Sequence, residues 1–256
     1  MGRVLVEDTG TVRVLRMNRP EARNALDGEL ISALYAALLD ADAQPGVHAV
    51  VLTGADPAFC AGIDLKQAAL EGDVYFARHR TEPCIPQAAR MATPIIAAIN
   101  GPTFTGGLEL ALGCDFLIAS ERAVFADTHA RVGVLPGGGL TARLPALVGP
   151  GWSRRLSYTG EVIDAALALR IGLVTEVTPH EQLLGRATEL AAAIAEVPPT
   201  TMRALKHVYA TGTAPFLEAG LAAERAASAG HRPDAASLER SRMEITARNR
   251  GQLPKG

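Results

Sequence analysis

A chain of 256 residues can bury a sizeable core, as one domain or as one domain with an extension. Its formal net charge of -2 leaves no global basic field, which excludes nucleic acid and anionic membrane as partners held by bulk electrostatics. The three cysteines, Cys60, Cys84 and Cys114, are widely spaced and form no CxxC pair, which argues against a disulfide framework or a zinc site, so no metal is expected.

The first residues, Met1 to Asp8, carry acids where a signal peptide needs an uninterrupted apolar stretch, and no later run reaches membrane-spanning length. The expected location is therefore cytoplasmic. Val4-Leu-Val6 and Val12-Arg-Val-Leu15 read as a hairpin around Asp8-Thr-Gly10, because β-branched residues flank a turn-forming triplet. Asp27 is placed to cap a helix running to about residue 42, with Leu30, Ile31, Leu34, Leu38 and Leu39 as its apolar stripe. Short apolar strands are expected at 47–53, 94–99 and 115–119, separated by helical pattern. Strands alternating with helices imply crossover units, a largely buried sheet and an α/β fold.

Beyond residue 140 the strand signal nearly stops. Helices are expected over 140–147, 152–158, 164–170, 180–196, 200–209 and 216–229, with one short strand at 173–177. Pro198-Pro199 is the clearest boundary, because adjacent prolines disfavour a continuing helix, and it divides a core of residues 1–197 from a helical region 198–256. The alanine-rich helices after it have too little bulky apolar surface to form a core alone, so they are expected to pack on the main domain or on another subunit. Residues 249–256 read as a frayed tail.

Asn100-Gly-Pro-Thr-Phe-Thr-Gly-Gly-Leu-Glu-Leu-Ala-Leu-Gly-Cys-Asp115 drives a paired glycine and one carboxylate into an apolar run. Glu109 follows Gly106 by three positions and is flanked by Leu108, Leu110, Ala111 and Leu112, so a helix opening at the glycines carries its carboxylate inward. Burying a charge is costly, and free amides at that helix start attract developing negative charge, which suits oxyanion and acid/base work. A glutamate in a first turn also complements the helix dipole while pointing to water, so Glu109 alone fits both readings. A second segment, Ala58-Phe-Cys-Ala-Gly-Ile-Asp-Leu-Lys66, follows the expected strand 47–53 and makes another strand-to-helix turn. Two such turns can aim two N–H groups at one oxygen. Cys60 lies in this turn but has no neighbouring histidine to activate it, so it reads as core filler. Pro136-Gly-Gly-Gly139 lacks the order and the lysine of a phosphate-binding P-loop; its glycines are expected to let backbone approach a ligand before a helix begins.

Together these segments, with Asn18-Arg-Pro-Glu-Ala-Arg-Asn-Ala-Leu26, Leu135-Pro-Gly-Gly-Gly-Leu140 and the helical C-terminus, resemble the enoyl-CoA hydratase/isomerase, or crotonase, family over nearly the whole chain. The resemblance implies a crotonase-like fold, with ββα crossover units wound into a spiral core and a helical C-terminal extension. It also implies assembly as a homotrimer or a dimer of trimers through residues 198–256. The implied substrate is an acyl-CoA thioester, with no separate cofactor because coenzyme A is part of the substrate. The N–H groups of Ile63 and Gly106 match the family's oxyanion positions, and Glu109 matches the glutamate that handles water. Arg23, Asn24 and Ala25 are placed along the nucleotide, backbone around Ala61 and Gly62 near the adenine, and Lys66 at a phosphate. Asp64 and Leu65 complete that turn, where Asp64 can cap the next helix instead of touching ligand. Residues 67–92, with Tyr75, Phe76, His79 and Met91, are expected to wall the acyl pocket.

One position departs from the pattern. Counting back four residues from Gly133 reaches His129, where typical hydratases carry a second glutamate. Histidine titrates near neutral pH and can protonate a carbon, but a hydrogen-bonded wall residue fits equally well. Asp127 can hold its ring or cap the short helix that follows. Family isomerases commonly use a carboxylate at this position, so the expected reaction is hydration of a 2-enoyl-CoA. Isomerisation and ligand binding without catalysis are the alternatives.

Overall fold

The computed structural model describes residues 2–231 and 235–252. β1 (Val4–Thr9) and β2 (Val12–Met17) form the antiparallel hairpin expected around Gly10. Asp27 accepts the Leu30 amide at 2.8 Å and starts α1 (Gly28–Ala43). This helix buries Leu30, Ile31, Leu34 and Leu38, whereas Leu39 is 42% exposed. One residue turns a helix by about 100°, which carries Leu39 past the edge of the stripe that Leu38 closes. Leu34 is fully buried, so Leu34→Ala is expected to cost about 2–5 kcal/mol in urea unfolding. A cost under about 0.5 kcal/mol, the scale of an ordinary surface change, would contradict this packing.

After β3 (Ala49–Gly54) the chain makes three short helices, α2 (Leu65–Glu71), α3 (Asp73–Thr81) and α4 (Cys84–Arg90), before β4 (Ile95–Ile99). β5 (Thr103–Phe104), α5 (Gly106–Leu112), β6 (Phe116–Ser120) and β7 (Val124–Ala126) follow. The C-terminal half contains α6 (Leu140–Thr159), β8 (Ile163–Asp164), α7 (Ala165–Arg170), β9 (Glu176–Thr178), α8 (Leu183–Ala195), α9 (Pro199–Gly230) and α10 (Ala235–Gln252). The main sheet has six strands in the order β1-β2-β3-β4-β6-β9, parallel except for the first pair. A three-stranded sheet, β5-β7-β8, lies beside it.

Alternation along the strands divides the core in two. Leu15, Val50, Leu52, Ile95, Ala97 and Ile99 join the main cluster with α1 and α5. Val12, Val14, Val51, Ile96 and Ala98 pack on the opposite side against Leu183, Ala187 and Ala191 of α8. A sheet covered on both faces explains why its strands read as nearly unbroken apolar runs.

Several boundaries differ from the sequence expectation. The helices expected at 140–147 and 152–158 are joined as α6 across a kink at Gly149, which has φ 76°. The two expected after Pro199 form one helix, α9, that carries Pro215 internally. Pro215 is exposed, so water can hydrate the carbonyl that loses its N–H partner. Leu173 and Val174 belong to the main core, and the expected strand begins only at Glu176. α10 lies within the helical region expected over 198–256, but no range of its own is expected for it, because it lacks an apolar stripe. It remains helical to Gln252, through the start of the expected frayed tail, whose residues 253–256 lie outside the described ones.

The C-terminal helices rest on the main domain. Arg203 of α9 donates to Thr93 Oγ1 at 3.1 Å and Lys206 pairs with Asp115 at 2.8 Å, while α10 packs on α2 and on the 3-10 turn Ala130–Val132. Among the described residues, no helix is long and apolar enough to cross a membrane.

Candidate active site

The two strand-to-helix turns meet in the structure. The first runs from Cys60, bridged to Thr103, through Ile63, bridged to Leu26, into α2. The second runs from β5 through Thr105 into α5. Gly62 lies at the junction with φ 99°, and a Cβ there would sit 1.9 Å from Thr105 Oγ1. Only glycine allows this approach. Thr105 itself has φ 46°, an unusual conformation for a non-glycine residue and a mark of local strain at the turn. A Cβ on Gly106 would lie 3.7 Å from both Gly62 Cα and Ile63 Cγ2, so the two turns are in contact. Among the described residues, neither the Ile63 nor the Gly106 amide donates to a group of the chain. Burial pushes the Cys60 thiol up to about 12, which keeps it neutral and unreactive.

Glu109 points inward from the first turn of α5 and is 4% exposed. Its Oε1 accepts the amides of Gly137 at 3.2 Å, Gly138 at 2.7 Å and Leu140 at 3.4 Å. The glycine-rich loop therefore approaches the Glu109 carboxylate, where the sequence suggested a ligand. A Cβ on Gly138 would meet Glu109 Oε2 at 2.9 Å and Ile85 Cγ2 at 2.5 Å, so that position has no room for a side chain. The second carboxylate oxygen, Oε2, faces His129 Nε2 at 3.7 Å.

His129 is held from behind. Asp127 Oδ1 accepts both the Nδ1 of the ring, at 2.7 Å, and the His129 backbone amide, at 3.2 Å. Of the two roles left open for Asp127, the structure shows the first, holding the ring; the short 3-10 helix that follows, Ala130–Val132, has no side-chain cap. Burial raises the Glu109 pKa, opposed by the His129 charge and by the loop amides. Burial presses the His129 pKa down, but the Asp127 hydrogen bond and the nearby carboxylate charges outweigh it and the net shift is upward. Burial raises the Asp127 carboxyl, yet the His129 hydrogen bond and charge hold it below the usual range.

The residues expected along a nucleotide divide into two groups. Arg23 and Lys66 are exposed, and Arg23 O accepts the Ala61 amide at 3.0 Å, so the 23–25 and 61–66 segments adjoin. Asn24 is fully buried: its Oδ1 accepts Arg19 N at 2.8 Å and its Nδ2 donates to Ala55 O and Ala58 O. Its side chain is thus committed to the loop. Asp64 takes the capping alternative: its Oδ1 caps α2 through the Lys66 and Gln67 amides, and its Oδ2 pairs with Arg19 at 2.7 Å. Leu65 packs on the main core. Arg19 also pairs with Asp27 at 2.9 Å, so one guanidinium ties together the caps of α1 and α2 around Ile63.

Of the expected acyl wall, Tyr75 and Met91 lie in the core, and the Tyr75 hydroxyl donates to Leu26 O. Burial lowers the His79 pKa to about 4, leaving a neutral ring edge-on to Tyr75. Ile85, inside the expected 67–92 wall but not singled out within it, stands closest to Gly106 and Gly138. Its place in an apolar α4 offered no signal that distinguishes it from core.

The site thus combines a crossover α/β core, two abutting turns whose Ile63 and Gly106 amides bond no group among the described residues, and an inward carboxylate. The chain belongs to the enoyl-CoA hydratase/isomerase family, whose model matches residues 7–243. It is 38% identical to a crotonyl-CoA hydratase of Syntrophomonas wolfei over 75% of each chain. The crystal structure of an enoyl-CoA hydratase from Mycobacterium avium is 48% identical, with a TM-score of 0.80 over 88% of this chain and 95% of that one. An enoyl-CoA hydratase/isomerase from Pseudoalteromonas atlantica is 29% identical, with a TM-score of 0.84 over 99% of each. The crotonase-like fold expected from the motifs is thereby established.

Proposed function

We propose that this chain is an enoyl-CoA hydratase that adds water reversibly across the 2,3 double bond of an acyl-CoA thioester. Relatives named as enoyl-CoA and crotonyl-CoA hydratases support the reaction class. The observation that carries the reading is the buried line from Asp127 through His129 to Glu109, with separations of 2.7 and 3.7 Å.

In the forward direction Glu109 takes a proton from water as the water oxygen bonds to C3, and the π electrons move onto the thioester oxygen. The amides of Ile63 and Gly106 stabilise that enolate-like charge, a donation worth roughly 3–4 kcal/mol per donor. The His129 imidazolium then gives its proton to C2, and the proton on Glu109 passes to His129 to restore both groups. Asp127 keeps His129 charged for that step. Arg23 and Lys66 suit the phosphates of the coenzyme A portion, with backbone of Ala25, Ala61 and Gly62 beside them. Coenzyme A enters as part of the substrate, and no further cofactor is required by this route.

A homotrimer or dimer of trimers belongs to the same reading. The exposed Leu205, Val208, Tyr209 and Phe216 of α9 support it, and light scattering showing a monomer would remove it. A cytoplasmic location is supported by three buried, free cysteines. Fractionation placing the protein in an organelle or outside the cell would overturn that location.

The test is loss of the conjugated enoyl absorbance of crotonyl-CoA. The wild type is expected to turn it over, and His129→Ala to lose about 10²-fold or more in kcat while still binding substrate. Binding by the wild type without turnover would replace this reading with that of a non-catalytic acyl-CoA binder. Full turnover by His129→Ala would return His129 to a wall residue.

A further inference from the structure

Consecutive amides from Gly137 to Thr141 all donate to just two carboxylates. Gly137, Gly138 and Leu140 serve Glu109, whereas Gly139 and Thr141 serve Glu224. Glu224 comes from α9, is 6% exposed, and also accepts the Thr141 hydroxyl. α6 has no cap of its own, because Gly139 precedes it without a side chain. The cap arrives from α9, across 85 residues of sequence. A buried carboxylate is tolerated when its oxygens are filled, and here both are filled by the loop that grips Glu109.

We propose that Glu224 is a positioning residue for the reaction: it clamps the 137–141 loop from α9, and the loop holds the Glu109 carboxylate facing His129. The proposal rests on the reading of Glu109 as the acid/base group. Docking of α9 then completes the site, beyond covering it. The groups facing Glu109 are His129 with Asp127 behind it, Arg143 on α6 and Glu224 on α9. Burial raises the Glu109 pKa, the His129 charge opposes the rise and the Glu224 charge adds to it. Removing the Glu224 charge therefore moves the acid limb of activity to lower pH.

The experiment compares crotonyl-CoA hydration by the wild type, Glu224→Gln, Thr141→Ala, Glu109→Gln and the Glu109→Gln/Glu224→Gln double variant, with thermal unfolding of each. Glu224→Gln is expected to lower kcat about 10- to 100-fold with little change in KM, and to shift the acid limb downward. Thr141→Ala, which removes only the hydroxyl donor at an exposed residue, is expected to lose kcat in the same direction at near-wild-type stability. In the Glu109→Gln background the Glu224 change should have no further effect, since both act through one carboxylate. A folded Glu224→Gln with wild-type kcat and pH profile would overturn the proposal, as would a full additive loss in the double variant. If Glu224→Gln does not fold, wild-type kcat in Thr141→Ala overturns it instead. Wild-type turnover by Glu109→Gln alone would remove the reading of Glu109 and this proposal with it.

Discussion

Glu109→Gln is expected to lower kcat for crotonyl-CoA hydration by about 10²- to 10⁴-fold, the range of a lost general acid/base. Glutamine keeps the volume and one acceptor oxygen, so the amides of Gly137, Gly138 and Leu140 retain a partner and the loop keeps its place. What disappears is the ability to take a proton from water. Substrate binding should change little, because Glu109 is buried whereas the cations suited to the coenzyme A phosphates, Arg23 and Lys66, are exposed. The wild type should also lose activity as pH falls through the raised pKa of Glu109, and that limb should vanish in the variant.

Stability should move the other way. A carboxyl whose folded pKa lies above its unfolded value binds its proton more tightly when folded. Stability therefore falls as pH rises from the ordinary carboxyl range through the raised value. A neutral glutamine escapes that cost, so its thermal midpoint at neutral pH should equal or exceed that of the wild type. Loss of activity together with a lowered midpoint would mean that Glu109 holds the fold together and would remove it from the chemistry.

The same balance explains why Glu109 was legible in the sequence. A single carboxylate among Leu108, Leu110, Ala111 and Leu112 violates the local apolar pattern, and such violations mark function. The two turns around Ile63 and Gly106 were legible for a related reason, since their glycines punctuate strand-to-helix passages. Side-chain destinations were not. Asn24 and Asp64 stand in loop motifs that could face a ligand or the chain's own amides, and only the approach of Ala55, Ala58 and Arg19 decides between them. Glu224 left a faint trace: Leu217, Gly220, Leu221 and Ser228 flank it on the inner face of α9. Its partners lie at Gly139 and Thr141, too distant in sequence for any local pattern to supply. α10 left only the general helical expectation for 198–256, because its contact with α2 is made without an apolar stripe.

Asp127→Asn carries the second large effect, with an expected loss of about 10²-fold or more in kcat while substrate binding persists. Asparagine preserves size and can still accept one hydrogen bond from the ring, but it removes the charge that stabilises the imidazolium. Burial is then opposed only by the Glu109 and Glu224 charges, so His129 turns neutral at lower pH and the alkaline limb of the pH profile should move toward acid. The stability signs follow from the same shifts. The lowered Asp127 pKa means its contribution is full above the ordinary carboxyl range and is lost as pH falls through the lowered value. The raised His129 pKa means its contribution is full below the ordinary histidine range and is lost as pH rises through the raised value. The pair therefore stabilises the fold most between those two ranges, and Asp127→Asn should lower the thermal midpoint most in that window. An alkaline limb that stays in place would show that Asp127 does not govern His129, and the proton donor would have to be sought elsewhere.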